Sequence, residues 1–203
     1  MNTAWSVPKN SRPNPFKARG RSLLLLATAG VAVLGTTVLS AFGASNAGSF
    51  ALLLKILVLA ASVAINAAVF VFAFRIATAR DLSARDVAPG AITAAVLWQL
   101  LQTFGVVYVG HVVKGASATN GVFALVLGLL AFLYITATAV VVCVEINVVR
   151  VDRLHPRALL TPFTDNVELT GGDRRAYTGQ AEAQRSKGFE DVDVTFKPDP
   201  PQD

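Results

Sequence analysis

Four long runs of apolar residues, at roughly 22–42, 51–74, 91–113 and 122–149, alternate with short polar stretches. A hydrocarbon core about 30 Å thick needs about 20 residues of helix at about 1.5 Å each, and every run meets that length. None carries a polar stripe broad enough to serve as the water-facing side of a helix in a soluble bundle. The pattern predicts an all-α fold: a polytopic transmembrane bundle of four spans over residues 22–157, a basic lead-in of residues 1–21, and a disordered tail of residues 158–203. The first run exceeds the roughly 7 to 15 residues of a signal-peptide core and three more spans follow it, so it is expected to be a retained anchor.

Composition sharpens this picture, because 53% of the 203 residues are hydrophobic and only 15% are charged. Residues 22–149 hold eight charged side chains, Lys55, Arg75, Arg80, Asp81, Arg85, Asp86, Lys114 and Glu145, and the rest lie at the two ends. Lysine and arginine are retained on the cytoplasmic side of a bilayer. Five precede the first span, three lie between the second and third, and three follow the fourth (Arg150, Arg153, Arg157), whereas the other two loops share only Lys114. Eleven against one predicts that both termini are cytoplasmic. The lead-in, with its prolines and Trp5, suits an irregular segment on an anionic surface. Residues 158–203 carry nine acidic and five basic residues without apolar periodicity, which predicts a disordered cytosolic tail that does not dock on the bundle.

Polar residues inside the spans are the next signal. Lys55, Ser62 and Asn66 are separated by seven and four positions and fall on one line along the second helix. Gln99, Gln102 and Thr103 cluster at the middle of the third. Unpaired amides at that depth are costly, so these groups are expected to face protein or a polar path. Two readings stand: helix-to-helix hydrogen bonding, worth about 1 kcal/mol or less per pair, or the wall of a pathway. Lys55 lies about 11 Å outward of its helix's middle and can snorkel. Small residues expected to allow close packing are Ala60, Ala64 and Ala68, then Ala91 and Ala95, then Ala124 and Gly128. Trp98 and Tyr134 lie deep and are expected to be packing residues.

Glu145 ends a run uncharged since Val122. It sits about 14 Å from the middle of its span, and Arg75, about 19 Å from the middle of the second, matches it in depth. That predicts a Glu145–Arg75 ion pair tying span four to span two, with Glu145 on the face of Tyr134, Thr138 and Val141. Asn147 looks the other way, with Thr136 and Cys143. The alternative is a carboxylate that reaches interfacial water.

Enzymatic chemistry is scarce. His111 and His155 fall on opposite sides of the membrane and Cys143 is alone, so no metal or other cofactor is expected. Neither a GxxxxGK[ST] phosphate loop nor a GxSxG elbow occurs.

The stretches RDVAPGAITAAVLWQLLQTFGVVYVGHVV and NGVFALVLGLLAFLYITATAVVVCVEINVV resemble the C-terminal half of the YihY/virulence factor BrkB family of bacterial inner-membrane proteins. The matching positions are Pro89, Gly90, Ala94, Ala95, Trp98, Tyr108, Gly121, Tyr134, Glu145 and Asn147, within a likeness spanning about residues 3–157. Asn120 and Cys143 depart from the family's usual tyrosine and glycine. Members usually have six spans, so the resemblance implies that these four are the last ones and that Met1 is a late start, or that another copy or another membrane protein covers an exposed face. It implies moving a lipid or small solute, or envelope integrity. The family's older label, ribonuclease BN, lacks an acid/base pair here, and His155 beside Arg153 and Arg157 reads as a juxtamembrane basic cluster; no nucleic-acid partner is expected. The expected function is therefore transporter-like or lipid-handling and non-enzymatic, the alternative being a membrane scaffold.

Overall fold

The computed structural model describes residues 1–43, 51–115, 118–155 and 169–197, with side chains described outside 40, 42–51 and 106–120. Its helices are α1 (Pro15–Gly43), α2 (Ala51–Ala77), α3 (Ala84–Gly115), α4 (Ala118–Val151) and α5 (Gly171–Glu182). Within the first four lie Pro15–Leu39, Leu52–Ala77, Ala84–Gly105 and Gly121–Val151, each long and apolar enough to cross a membrane. All four expected spans are present, and the lead-in, the α2–α3 turn and the end of α4 share one end of the bundle. Ala47 and Ser117, in the two loops that share only Lys114, lie outside the described residues.

Local chemistry sets the helix ends. Pro15 opens α1 at the position where a missing N–H costs nothing. α3 starts seven residues before its expected beginning at 91 because Ser83 and Asp86 form a reciprocal cap: the Asp86 carboxylate accepts from Ser83 N–H at 2.8 Å and Ser83 Oγ–H at 2.7 Å. Pro89 therefore lies inside the helix rather than at its start. At its other end α4 closes with Arg153 at φ 53° and a Leu154 N–H to Val149 C=O bond of 3.0 Å, the six-to-one closure of a Schellman turn.

Packing is sequential, α1 on α2, α2 on α3 and α3 on α4, while α1 and α4 flank a groove instead of packing closely. The apolar core is gathered at the lead-in end, where Trp5 and Val7 join Phe74, Leu82, Val87, Ala91, Ala94, Cys143, Val144 and Val148. This distribution follows from the solvent. Lipid tails are as apolar as leucine and drive no burial at mid-membrane, whereas residues near water are pulled together by the hydrophobic effect.

The lead-in is thus an integral part of the bundle rather than an irregular surface segment. Trp5 is buried, the Arg80 guanidinium lies 5.3 Å from its ring centroid, and Asn2 Oδ1 accepts from Ala79 N–H at 2.8 Å. The tail needs a similar amendment. Residues 156–168 and 198–203 lie outside the described ones, but between them Thr170 and Asp173 build a capping box that starts α5. α5 does dock: a Cβ on Gly172 would stand 2.9 Å from the His155 carbonyl oxygen, Arg175 Nη2 donates to the Arg153 carbonyl at 2.7 Å, and Asn10 N–H donates to the Arg185 carbonyl at 3.2 Å. The contacts are made by backbone groups, a glycine and an arginine side chain, which is why an apolar pattern does not announce them.

Candidate functional site

Where α3 crosses α4, a proline, a glycine and an asparagine are interlocked. Pro89 has no N–H to give the Arg85 carbonyl, and its ring crowds the preceding turn. The neighbouring Gly90 N–H donates across the interface to Asn147 Oδ1 at 2.7 Å, and Asn147 Nδ2 donates to the Val87 carbonyl at 3.1 Å. Arg150 Nη1 meets the bereft Arg85 carbonyl at 3.4 Å. Gly90 is required by proximity, since a Cβ there would run into the Cys143 carbonyl oxygen and the Asn147 amide. Asn147, 1% exposed, is therefore a packing residue whose amide is spent on α3.

Beside this crossing lie two cavities. The first, about 640 Å³, opens between the lead-in, α4 and α5, with Thr3, Ser6, Glu145, Gln180 and Gln184 among its lining residues. The second is a groove of about 320 Å³ bounded by α1, α2, α3 and α4, lined by Val33, Asn66, Phe70, Trp98 and Thr136 at its deep end and by Leu25 and Ala77 toward the lead-in. Val140 and Met1 line both, so the cavities adjoin. Trp98 is half-buried and tilted against Phe132, ring centroids 6.4 Å apart.

The expected site residues separate. Ser62 and Asn66 are buried and Lys55 is exposed. Gln99 and Gln102 are half-buried, and the exposed Thr103 donates to the Gln99 carbonyl of its own helix at 2.9 Å. None of these three lines the groove; Trp98 of the same helix does. Thr136, which shares the groove with Asn66 and Thr28, lies on the face that the sequence gives to Asn147, and its juxtaposition with Asn66 is not predicted because nothing in a sequence states which helices adjoin.

The expected Glu145–Arg75 pair is not formed. Arg75 Nε donates to the Leu82 carbonyl at 2.9 Å, holding the α2–α3 turn, while Glu145 is exposed in the larger cavity. Matching depth was the wrong criterion, because α3 packs against both α2 and α4. The tie is made by Arg80 and Asp152 instead, in a bidentate pair of 2.8 and 2.9 Å from the α2–α3 turn to the end of α4. The Asp152 carboxylate raises the already high pKa of the Arg80 guanidinium, so this charge is fixed.

Tyr134 is 74% exposed rather than packed, and Thr138 and Val141 are exposed with it. Ala60, Ala64 and Ala68 face outward, whereas Ala91 and Ala95 are fully buried at the α3 interface, and Ala124 and Gly128 are half-buried. Tyr108 and Asn120 lie outside the described side chains.

Residues 1–165 match the family described as virulence factor BrkB. The chain belongs to the virulence factor BrkB family. No curated protein and no solved structure matches it. Membership and four membrane-length apolar helices make it a multi-pass integral membrane protein in contact with the lipid bilayer. In this BrkB-family chain the Pro-Gly and the late Asn that carry the resemblance prove to be two halves of one helix crossing, while Glu145 stands apart from it.

Proposed function

We propose that this protein is a non-enzymatic, transporter-like or lipid-handling component of a bacterial inner membrane. The observation that carries the reading is the adjoining of the two cavities at Val140. One is a mouth of mixed lining in which Thr3, Ser6, Glu145, Gln180 and Gln184 stand among apolar residues, the other an apolar groove reaching Asn66 near mid-membrane. An amphiphile has matching parts, a polar group for the mouth and a chain for the groove. The test is reconstitution of the full chain into liposomes bearing fluorophore-tagged lipids, with external reductant reporting how fast inner-leaflet label becomes accessible. Acceleration over protein-free liposomes is expected, reduced by Glu145→Gln. A rate equal to that of protein-free liposomes, with no lipid retained through purification, would instead favour the scaffold reading, which the use of the Asn147 amide in packing supports.

The same reading places both termini in the cytoplasm, on the eleven-to-one bias of basic residues. Reporter fusions at residues 10 and 160 should read as cytoplasmic and fusions at Ala47 and Ser117 as external. A cytoplasmic signal at Ala47 would overturn the orientation.

A further inference from the structure

Among the described residues, the groove contains two buried polar atoms without a hydrogen-bond partner. Asn66 is 6% exposed, and its Nδ2 has no hydrogen-bond partner; Thr136 Oγ1, on the facing helix α4, is likewise buried and unpartnered. Both residues line the same groove. A buried donor left unpaired costs about 1–3 kcal/mol in protein, and more where the alternative is hydrocarbon. The other threonine of the groove, Thr28, already donates to the Leu24 carbonyl at 2.8 Å. A water lodged here would find only Asn66 and Thr136 to hold it, the low end of the two to four partners such waters have.

Depth and lining narrow the ligand. Asn66 lies within roughly 3 Å of the middle of the Leu52–Ala77 span and Thr136 at the middle of Gly121–Val151. A lipid held at the surface by a charged head keeps its ester groups near the interface, about 15 Å away. Among the described residues, no charged side chain lines the groove. Its volume, about 320 Å³, is at the small end of the roughly 300–1,000 Å³ typical of small-molecule sites.

We propose that Asn66 and Thr136 form a subsite for an uncharged lipid whose carbonyl oxygen accepts hydrogen bonds from the Asn66 amide and the Thr136 hydroxyl while its chain fills the groove. The subsite deepens the lipid-handling reading and rests on it. Trp98 in the groove wall supplies the measurement. The full chain in phosphatidylcholine nanodiscs is titrated with brominated diacylglycerol or with a short-chain alkyl benzoquinone, two sources of the same carbonyl chemistry, and tryptophan quenching is followed. Saturable quenching by either probe, lost in Trp98→Phe and absent with brominated phosphatidylcholine, is expected. Thr136→Val, which keeps the shape and removes the hydroxyl, and Asn66→Leu should each weaken it about tenfold or more.

Without probe, both variants should melt at or above the parent temperature, because they remove orphaned polar groups. A lower melting temperature would mean the groups bond to each other or to neighbouring helices, and would overturn the subsite. So would the absence of saturable quenching by both probes, or unchanged binding in Thr136→Val. Liposome activity that persists in variants lacking probe binding would sink the subsite alone and leave the lipid-handling reading standing.

Discussion

Gly90→Ala is expected to lower the melting temperature of the detergent-purified chain by about 5 °C or more. The added methyl meets the Cys143 carbonyl oxygen and the Asn147 amide, with Asn147 Cγ at 2.7 Å. A backbone carbonyl cannot rotate away, so α3 and α4 must separate. Overpacking of this kind costs about 1–3 kcal/mol, and parting the helices also stretches the 2.7 Å bond from Gly90 N–H to Asn147. For a chain of this size about 1 kcal/mol corresponds to about 2–4 °C. Gly105→Ala is the control, because its nearest neighbour would be Phe132 Cε2 at 4.0 Å, an ordinary contact. Adding Asn147→Ala should not rescue Gly90→Ala, since the obstruction by Cys143 is backbone. Equal melting of the two glycine variants would remove the close crossing as an element of stability.

The sequence makes the four spans legible for a plain reason: membrane-length apolar runs are imposed by the solvent and do not depend on neighbours. Helix starts were legible in principle through Ser83-x-x-Asp86 and Thr170-x-x-Asp173, reciprocal caps that move α3 seven residues earlier and turn part of the tail into α5. What polarity could not indicate was the inside of the bundle. On α4 the more polar face, with Tyr134, Thr138 and Glu145, is exposed, and the buried face holds Cys143, Val144, Asn147 and Val148. In lipid the inward side is chosen by fit, not by hydrophobicity. Asn66 illustrates the partial success: its spacing from Ser62 correctly implied an inward position, yet its juxtaposition with Thr136 depends on the seam between α1 and α4, which no spacing encodes.

Asn147→Leu is expected to cost about as much as Gly90→Ala, for a different reason. Leucine has the branching of asparagine and leaves no void, but it withdraws the acceptor of Gly90 N–H and the donor to the Val87 carbonyl, and its methyls need more room than the hydrogen bonds they replace. Val87 is wholly buried, and Gly90 is buried beside it. The Gly90 N–H would lose its acceptor across the interface, at about 1–3 kcal/mol for an unpaired donor, while the Val87 carbonyl would keep only the bond of its own helix. Pro89, inside the continuous α3, is what gives the asparagine its role, because the proline ring crowds the turn whose carbonyls Gly90 would otherwise use. A second-site test follows from that cause. Pro89→Ala in the Asn147→Leu background should recover part of the lost melting temperature, since a regular helix returns the Gly90 N–H to the Asp86 carbonyl and gives the Arg85 carbonyl its own donor. In the parent chain, with Asn147 present, the same Pro89→Ala change should bring a smaller gain, because the two substitutions act on one hydrogen-bond network and are coupled. Equal gains in both backgrounds would mean that Asn147 does not compensate for the proline.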